Sequence, residues 1–282
     1  MPAFAGTTCE GAIADRRVVI NADDFGLCEG VTRGIVEAHQ AGAVTAASMF
    51  ANAPGFGGAV QAARQFPRLD LGLHFNLTVG APVSPPARVP SLCATTGLFR
   101  SLGPLIRRAL SGRVDPDDVA RECRAQLDRL RAAGVRVSHL DGHRHAHVLP
   151  GVWSGVEAVG RSEGIPVRRP VEPVGPGRMA AKLALRIACV IAMPGPTPSS
   201  HHFRGIGLLG ARDFGDALVG LLDRSPAGVT EVAVHPGYVD ADLLRWDSYA
   251  QDRERELAAL RSPHVLTRLT RGDPRLVRFA DL

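Results

Sequence analysis

The chain is poor in aromatic side chains of the stacking kind, with two Trp and two Tyr among 282 residues. That argues against a long cleft paved with rings. Basic blocks are also missing. The net charge of +5 comes from 33 Lys and Arg against 28 Asp and Glu dispersed along the chain, without the clustered cations and interleaved aromatics of a nucleic-acid surface. No apolar run reaches the roughly 18 to 20 residues that a spanning helix needs. The longest, "MAAKLALRIACVIAM" at 179–193, is interrupted by Lys182 and Arg186. It reads as a buried or surface-docking helix, a candidate for a homodimer interface, a lid or a lipid-facing edge. The five cysteines, at 9, 28, 93, 123 and 189, form no Cys-x-x-Cys pair and are odd in number. Buried thiols in a reducing compartment are expected. The first residues lack the cationic start and apolar stretch of a secretory signal, so a cytoplasmic location is expected.

What is present suits a globular α/β protein: 45% hydrophobic and 22% charged residues. Short β-type runs alternate with helical patterns, the signature of a parallel sheet covered by helices. "RRVVINA" precedes "EGVTRGIVEAHQAG", where Val31, Ile35 and Ala38 recur at helical spacing. The same unit repeats as "AVTAASMF" then "FGGAVQAARQFP", and as "LDLGLHFNL" then the capped "DPDDVARECRAQLDRLRAAG". It continues as "VRVSHLDGH" then "GVWSGVEAVGRSEG", followed by "IPVRRP" as a strand. "FGDALVGLLDRSPAG" leads to "TEVAVHPG", and the helix "RERELAALRSPHVLTRLTRG" to the strand "PRLVRFADL". Residues 1–16 read as an extension. Residues 80–113 and 172–210 are rich in Pro, Ser and Gly and read as insertions over one face of the sheet, lids or disordered loops. No linker separates two cores, so residues 17–282 are expected to form one domain.

Four polar clusters fall at the carboxyl ends of expected strands: Asp23-Asp24, His74 with Asn76, His139 with Asp141, His143, His145 and His147, and His235. In α/β barrels the loops leaving those ends build the active site. Asp and His from separate strands match the 2-His-1-carboxylate pattern that binds one divalent cation and leaves positions open. A spare carboxylate beside the ion then serves as general base. Adjacent residues of a regular strand face opposite ways, so this requires the strand to end by Asp23. Plainer readings stand beside these. The aspartates could cap the next helix, His74 could be a core histidine, and His235 before Pro-Gly could shape a turn. Trp246 and Tyr249 could stack on a sugar or simply be buried.

The fragments "NADDFG", "GIVEAHQAGAVTAAS", "GLHFNLTVGAPV", "HLDGHRHAHVLPGV" and "VAVHPGY", in this order over roughly residues 17 to 270, resemble the YdjC/ChbG-like carbohydrate deacetylase family, with its chitooligosaccharide deacetylases and hopanoid-associated HpnK branch. The resemblance implies a TIM-barrel-like deacetylase barrel, with seven strands admitted, and metal-dependent removal of acetyl from a small N-acetylated sugar. It makes Asp23 the proton acceptor and puts one divalent ion, Mg or Zn, on Asp24, His74 and His143. It also places His235 at the reacting centre, as an acid or intermediate-stabilising group. Asn76, His145 and His147 are then expected to orient ligands or touch the sugar. The long 172–210 insertion departs from the family pattern. The competing readings are a barrel amidase or phosphoesterase, and a non-catalytic sugar-binding relative. A retaining glycosidase is disfavoured because its two acids must flank the bond, and Asp23 and Asp24 are adjacent.

Overall fold

The computed structural model describes residues 15–175, 177–193 and 202–282. Cys9, Pro176, Pro194, Pro196, Pro198 and nearly all of the 1–16 extension lie outside these residues. The sheet is parallel throughout and contains β1 (Arg16–Phe25), β2 (Ala46–Met49), β3 (Asp70–Phe75), β4 (Val137–Gly142), β5 (His202–Arg204), β6 (Gly228–Val234) and β7 (Arg275–Leu276). Its order is β4-β3-β2-β1-β6-β5, with β7 paired to the start of β1. β1 to β6 are each followed by one or more α-helices, which pack against the sheet. Val18, Val19 and Ile20 are buried on successive sides of the pleat, as expected for a strand covered on both faces.

The sheet curls into a half-barrel, and side chains bridge its open seam. Beyond β4, Val167 forms a single parallel bridge with Leu140. Arg168, next to it, reaches across the interior to Glu231 on β6 (Nε to Oε1, 2.6 Å) and to Asp23 on β1. An edge residue touches strands this far along the order only because the sheet is strongly curved. The expected strand "IPVRRP" is thus one bridge: Pro166 and Pro170 lack the N–H groups a longer ladder needs.

The helices follow their sequence cues. α1 (Glu29–Gln40) and α2 (Phe56–Gln65) back β1 and β2; α3 (Leu102–Leu110) sits inside the first insertion. α4 (Pro116–Ala132) begins at Asp115, whose carboxylate accepts from Asp117 N, with Pro116 at the first helical position and Arg129 and Arg131 in the last turn. α5 (Val152–Glu163), α6 (Met179–Ala192), α7 (Phe214–Asp223) and α8 (Ala241–Trp246) precede two C-terminal helices. The single helix expected over "RERELAALRSPHVLTRLTRG" is two, α9 (Gln251–Leu260) and α10 (Pro263–Thr270), because Ser262 caps a new start and Pro263 cannot continue the old one.

The first insertion is an ordered flap tied to α4. Val83 and Ser84 N–H groups donate to Glu122, and Ser91 N donates to Asp118. None of its residues lines the cleft at the carboxyl ends of the strands, although Ala81 O accepts from Asn52 Nδ2 in the loop after β2. The second insertion, in its described part, carries α6 and β5 and lies against those ends. α6 buries Lys182 and Cys189 but exposes Met179, Leu183, Ile187, Val190 and Ile191. No helix among the described residues is long and apolar enough to cross a membrane. Cys28, Cys93, Cys123 and Cys189 are free and buried.

Candidate metal centre and active site

β1 does not end at Asp23 as the sequence reading required. It runs on to Phe25, and a register shift between Ala22 and Phe25 does the work expected of a strand end. Pairing with β6 stops at Ala22, and Asp24 takes a left-handed backbone, φ 73°. Asp tolerates that region better than most side chains. The irregularity lets consecutive carboxylates enter one cleft. Neither aspartate caps α1, whose N-cap is Cys28. All four described non-glycine residues with positive φ, namely Asp24, Arg144, His145 and Arg178, line this same cleft. Such backbone outliers gather where a site demands a geometry the chain would not otherwise adopt.

The cleft holds about 260 Å³ and is floored by Asp23, Asp24, His74, His143 and His235. Asp24 Oδ1 stands 3.1 Å from His74 Nε2 and 3.0 Å from His143 Nδ1, and the two ring nitrogens are 3.3 Å apart. Three donors at 2.0–2.1 Å from one ion are separated by about 3.0 Å in octahedral and about 3.4 Å in tetrahedral geometry. The triangle therefore has the size of one face of a coordination shell. The opposite nitrogen of His74, Nδ1, lies 2.7 Å from Asp141 Oδ1. In the neutral ring a carboxylate there holds the proton on Nδ1, which turns the Nε2 lone pair toward the triangle. Burial disfavours charge on His74, but Asp141 and Asp24 outweigh it and push its pKa up to about 10. For His143 burial prevails over Asp24, and its pKa is lowered.

Asp23, Asp141 and His74 form a second close group, but it already holds a cation, the guanidinium of Arg168. Arg168 donates to both oxygens of Asp23 (2.7 and 2.8 Å) and to Asp141 Oδ2 (2.6 Å). Asn21 Nδ2 adds 2.8 Å to Asp23 Oδ1, which leaves Oδ2 as the less occupied oxygen. Burial alone would raise the Asp23 pKa; Arg168 reverses this and holds it below the usual carboxylate value. His235 Nε2 is 3.8 Å from that Oδ2, and its Nδ1 is buried without a partner among the described residues.

Two arginines that sequence reasoning passed over thus answer much of the charge problem. Arg168 sits on Asp23, and Arg253 of α9 sits on Asp24 (Nη2 to Oδ2, 2.5 Å). Arg168 carried a signal, a cation inside the apolar run "IPVRRP". Arg253 carried none among the arginines of its helix. Even so, Asp23, Asp24, Asp141, Glu231, Asp247 and Glu256 are buried here, and two buried guanidiniums face them among the described residues. A buried excess of carboxylate favours either protons or a bound cation. Glu231 illustrates the first: burial, opposed by Arg168, pushes its pKa up to about 7.

The remaining candidates divide. His145 lines the cleft, its ring edge-on to Phe203 at 5.7 Å. His147 is buried outside the lining, with Nε2 3.1 Å from the carbonyl of Arg168. Asn76 also lies outside it: Oδ1 accepts from Thr78 N and Val79 N, and Nδ2 donates to Val79 O and Asn52 Oδ1. It organises the turn after β3. His139 sits one layer down, stacked on Phe279 at 4.1 Å and so close to Gly72 that any Cβ there would fall 2.3 Å from its Nε2. Trp246 packs on Gly80, whereas Tyr249 lines the cleft with its hydroxyl donated to Glu256. Arg178, Phe203, Gly205, Ile206 and Leu209 of the second insertion form one wall.

Fold and site together define an α/β half-barrel with a buried Asp-His-His cluster, able to hold one cation at the strand ends. The family model described as "YdjC-like protein" matches residues 17–271, and the chain belongs to that family. It is 35% identical over 267 residues to a carbohydrate deacetylase of Geobacillus stearothermophilus, covering 94% of this chain and 98% of that one. It is 29% identical over 272 residues to a chitooligosaccharide deacetylase of Yersinia pestis, covering 95% and 99%. A solved structure from Enterococcus faecalis V583, described as a cellobiose-phosphate cleavage protein, superposes with TM-score 0.78 at 26% identity over 95% of this chain and 99% of that chain. These relatives support a hydrolase that deacetylates sugars.

Proposed function

We propose that this protein is a divalent-metal-dependent N-deacetylase of a small N-acetylated amino sugar. The observation that carries the reading is the triangle of Asp24 Oδ1, His74 Nε2 and His143 Nδ1, with sides of 3.0 to 3.3 Å, on the floor of a cleft that also holds Asp23 and His235. The donor set fits a divalent ion, with imidazole suiting Zn and carboxylate suiting Mg. An ion there supplies Lewis acidity toward the acetamide carbonyl and lowers the pKa of a bound water. The cleft volume of about 260 Å³ lies at the small end of ligand pockets, about 300–1,000 Å³, and favours a mono- or disaccharide.

Asp23 is the proton acceptor. Its pKa is held low by Arg168, so it is anionic at working pH, and Oδ2 retains a free lone pair on the cleft side. The same pairing makes it a weak base in water, and proximity to an acidified water compensates. His235, 3.8 Å away, is the proton donor to the departing amine. At 3.8 Å the two groups are beyond direct hydrogen-bond distance, so Asp23 takes up one proton and His235 gives up its own. Glu256 accepts from His235 N at 2.6 Å and fixes that backbone. His145 and the wall of Phe203, Ile206 and Leu209 bound the sugar and exclude water. A glycosidase is disfavoured because each carboxylate that lines the cleft among the described residues, Asp23, Asp24 and Asp247, is held by an arginine.

The test is acetate release. Purified protein supplied with Mg²⁺, Zn²⁺, Mn²⁺ or Co²⁺ is expected to release acetate from N-acetylglucosamine or chitobiose, with His143→Ala losing both activity and bound ion. Absence of release from these and from a lipid-linked N-acetyl amino sugar, with every ion, would overturn the reading.

A further inference from the structure

Arg253 has no analogue among the residues that the proposed chemistry uses, yet it is fully buried. Its Nη2 donates to Asp24 Oδ2 (2.5 Å) and to Asp247 Oδ2 (2.8 Å), and Nε donates to the carbonyl of Tyr249 (2.6 Å). Nη1 is buried with no partner among the described residues, so the guanidinium is placed for the two carboxylates rather than saturated on all sides. Asp247 lines the cleft beside Asp24 and is held on its other oxygen by Arg144 (3.2 Å) and Tyr249 N (3.2 Å).

We propose that Arg253 is a positioning residue that limits the cation's protein ligands to three, by occupying the second oxygen of Asp24 and drawing Asp247 away. This rests on the metal site proposed above. Asp24 can offer a cation two oxygens and Asp247 another two, and two carboxylates that share one guanidinium nitrogen are near enough to close around an ion in its absence. An internal guanidinium takes one oxygen of each, leaving Asp24 Oδ1 with His74 and His143. Open positions for water and substrate are what distinguish catalytic from structural sites. The fixed positive charge also weakens cation binding by Coulomb repulsion. Arg253 therefore trades affinity for an open coordination shell.

The consequence runs against the usual expectation for a residue supporting a ligand. Arg253→Met is expected to bind Co²⁺ about tenfold or more tightly, on the scale of about 10- to 100-fold seen for outer partners of metal ligands. Its visible Co²⁺ absorption should weaken as oxygen ligands fill the shell, and deacetylation should fall by at least a similar factor. Arg253→Met combined with Asp247→Asn should lose the share of the extra affinity that Asp247 supplies, and so bind Co²⁺ more weakly than Arg253→Met alone. Arg253→Lys, which keeps the charge but not the fork, should stay within a few-fold of wild-type affinity and supports the same conclusion. Circular dichroism and thermal melting report folding, and titrations use metal-free protein. Weaker Co²⁺ binding by Arg253→Met, or an unchanged affinity and spectrum, would overturn the proposal and leave Arg253 a structural prop. If wild-type protein itself binds no ion, the metal site fails first, and this inference with it.

Discussion

Replacing Asp141 by Asn tests how the cluster is oriented. Asp141 presents one oxygen to His74 Nδ1 at 2.7 Å and the other to Ser48 Oγ and Arg168 Nη2, each at 2.6 Å. Asn has one acceptor oxygen where Asp has two. If that oxygen faces Arg168, the amide N–H₂ faces His74 Nδ1 and forces the ring proton onto Nε2, which then cannot ligate. If it faces His74, the N–H₂ meets the Arg168 donor. Either arrangement should cost about 10- to 100-fold in metal affinity, or about 1.4–2.8 kcal/mol. Folding stability should fall by about 1–3 kcal/mol, the range for an unsatisfied buried group, because Arg168 keeps Asp23 and Glu231. Calorimetric titration of metal-free protein with Zn²⁺, alongside urea unfolding, reads both. A folded Asp141→Asn protein with Zn²⁺ affinity within twofold of wild type would refute the reasoning.

Asp23→Asn should retain its bound ion while losing about 10²- to 10⁴-fold in acetate release; loss of the ion instead would show that Asp23 is a ligand. Gly34→Ala places a Cβ 2.6 Å from Gly237 Cα, a backbone atom that cannot swing aside, and should lower stability by about 1–3 kcal/mol in urea titration. Asp240 caps α8 by accepting from Leu243 N and also accepts from Gly30 N; burial opposes its ionisation, but these donors win and lower its pKa. A depressed folded pKa means stability that is present above the unfolded value of about 3.9 and lost as pH falls through the folded one. Asp240→Asn should therefore flatten the fall in Tm below about pH 4, and an unchanged acid limb would contradict the capping role.

The alternation of strands and helices was legible because apolar periodicity is local. So was the convergence of Asp23, Asp24, His74, His143 and His235, because each sits where an expected strand gives way to a loop. The charge partners were not. Arg168 and Arg253 lie 145 and 229 residues from the carboxylates they hold, and sequence separation says nothing about which of many arginines turns inward. The bulge at Asp24 was missed for a related reason: the strand keeps its partner on one side while losing it on the other, which no single-strand pattern records. Asn76 looked like a site residue by proximity to His74, yet it serves the turn that ends the strand.

Anomalous diffraction from crystals grown with Zn²⁺ or Co²⁺ addresses the main claim most directly. A single peak within about 2.0–2.2 Å of Asp24 Oδ1, His74 Nε2 and His143 Nδ1 is expected. A well-ordered cluster without a peak at saturating ion, or a peak seated on Asp23 and Asp141 instead, would contradict it.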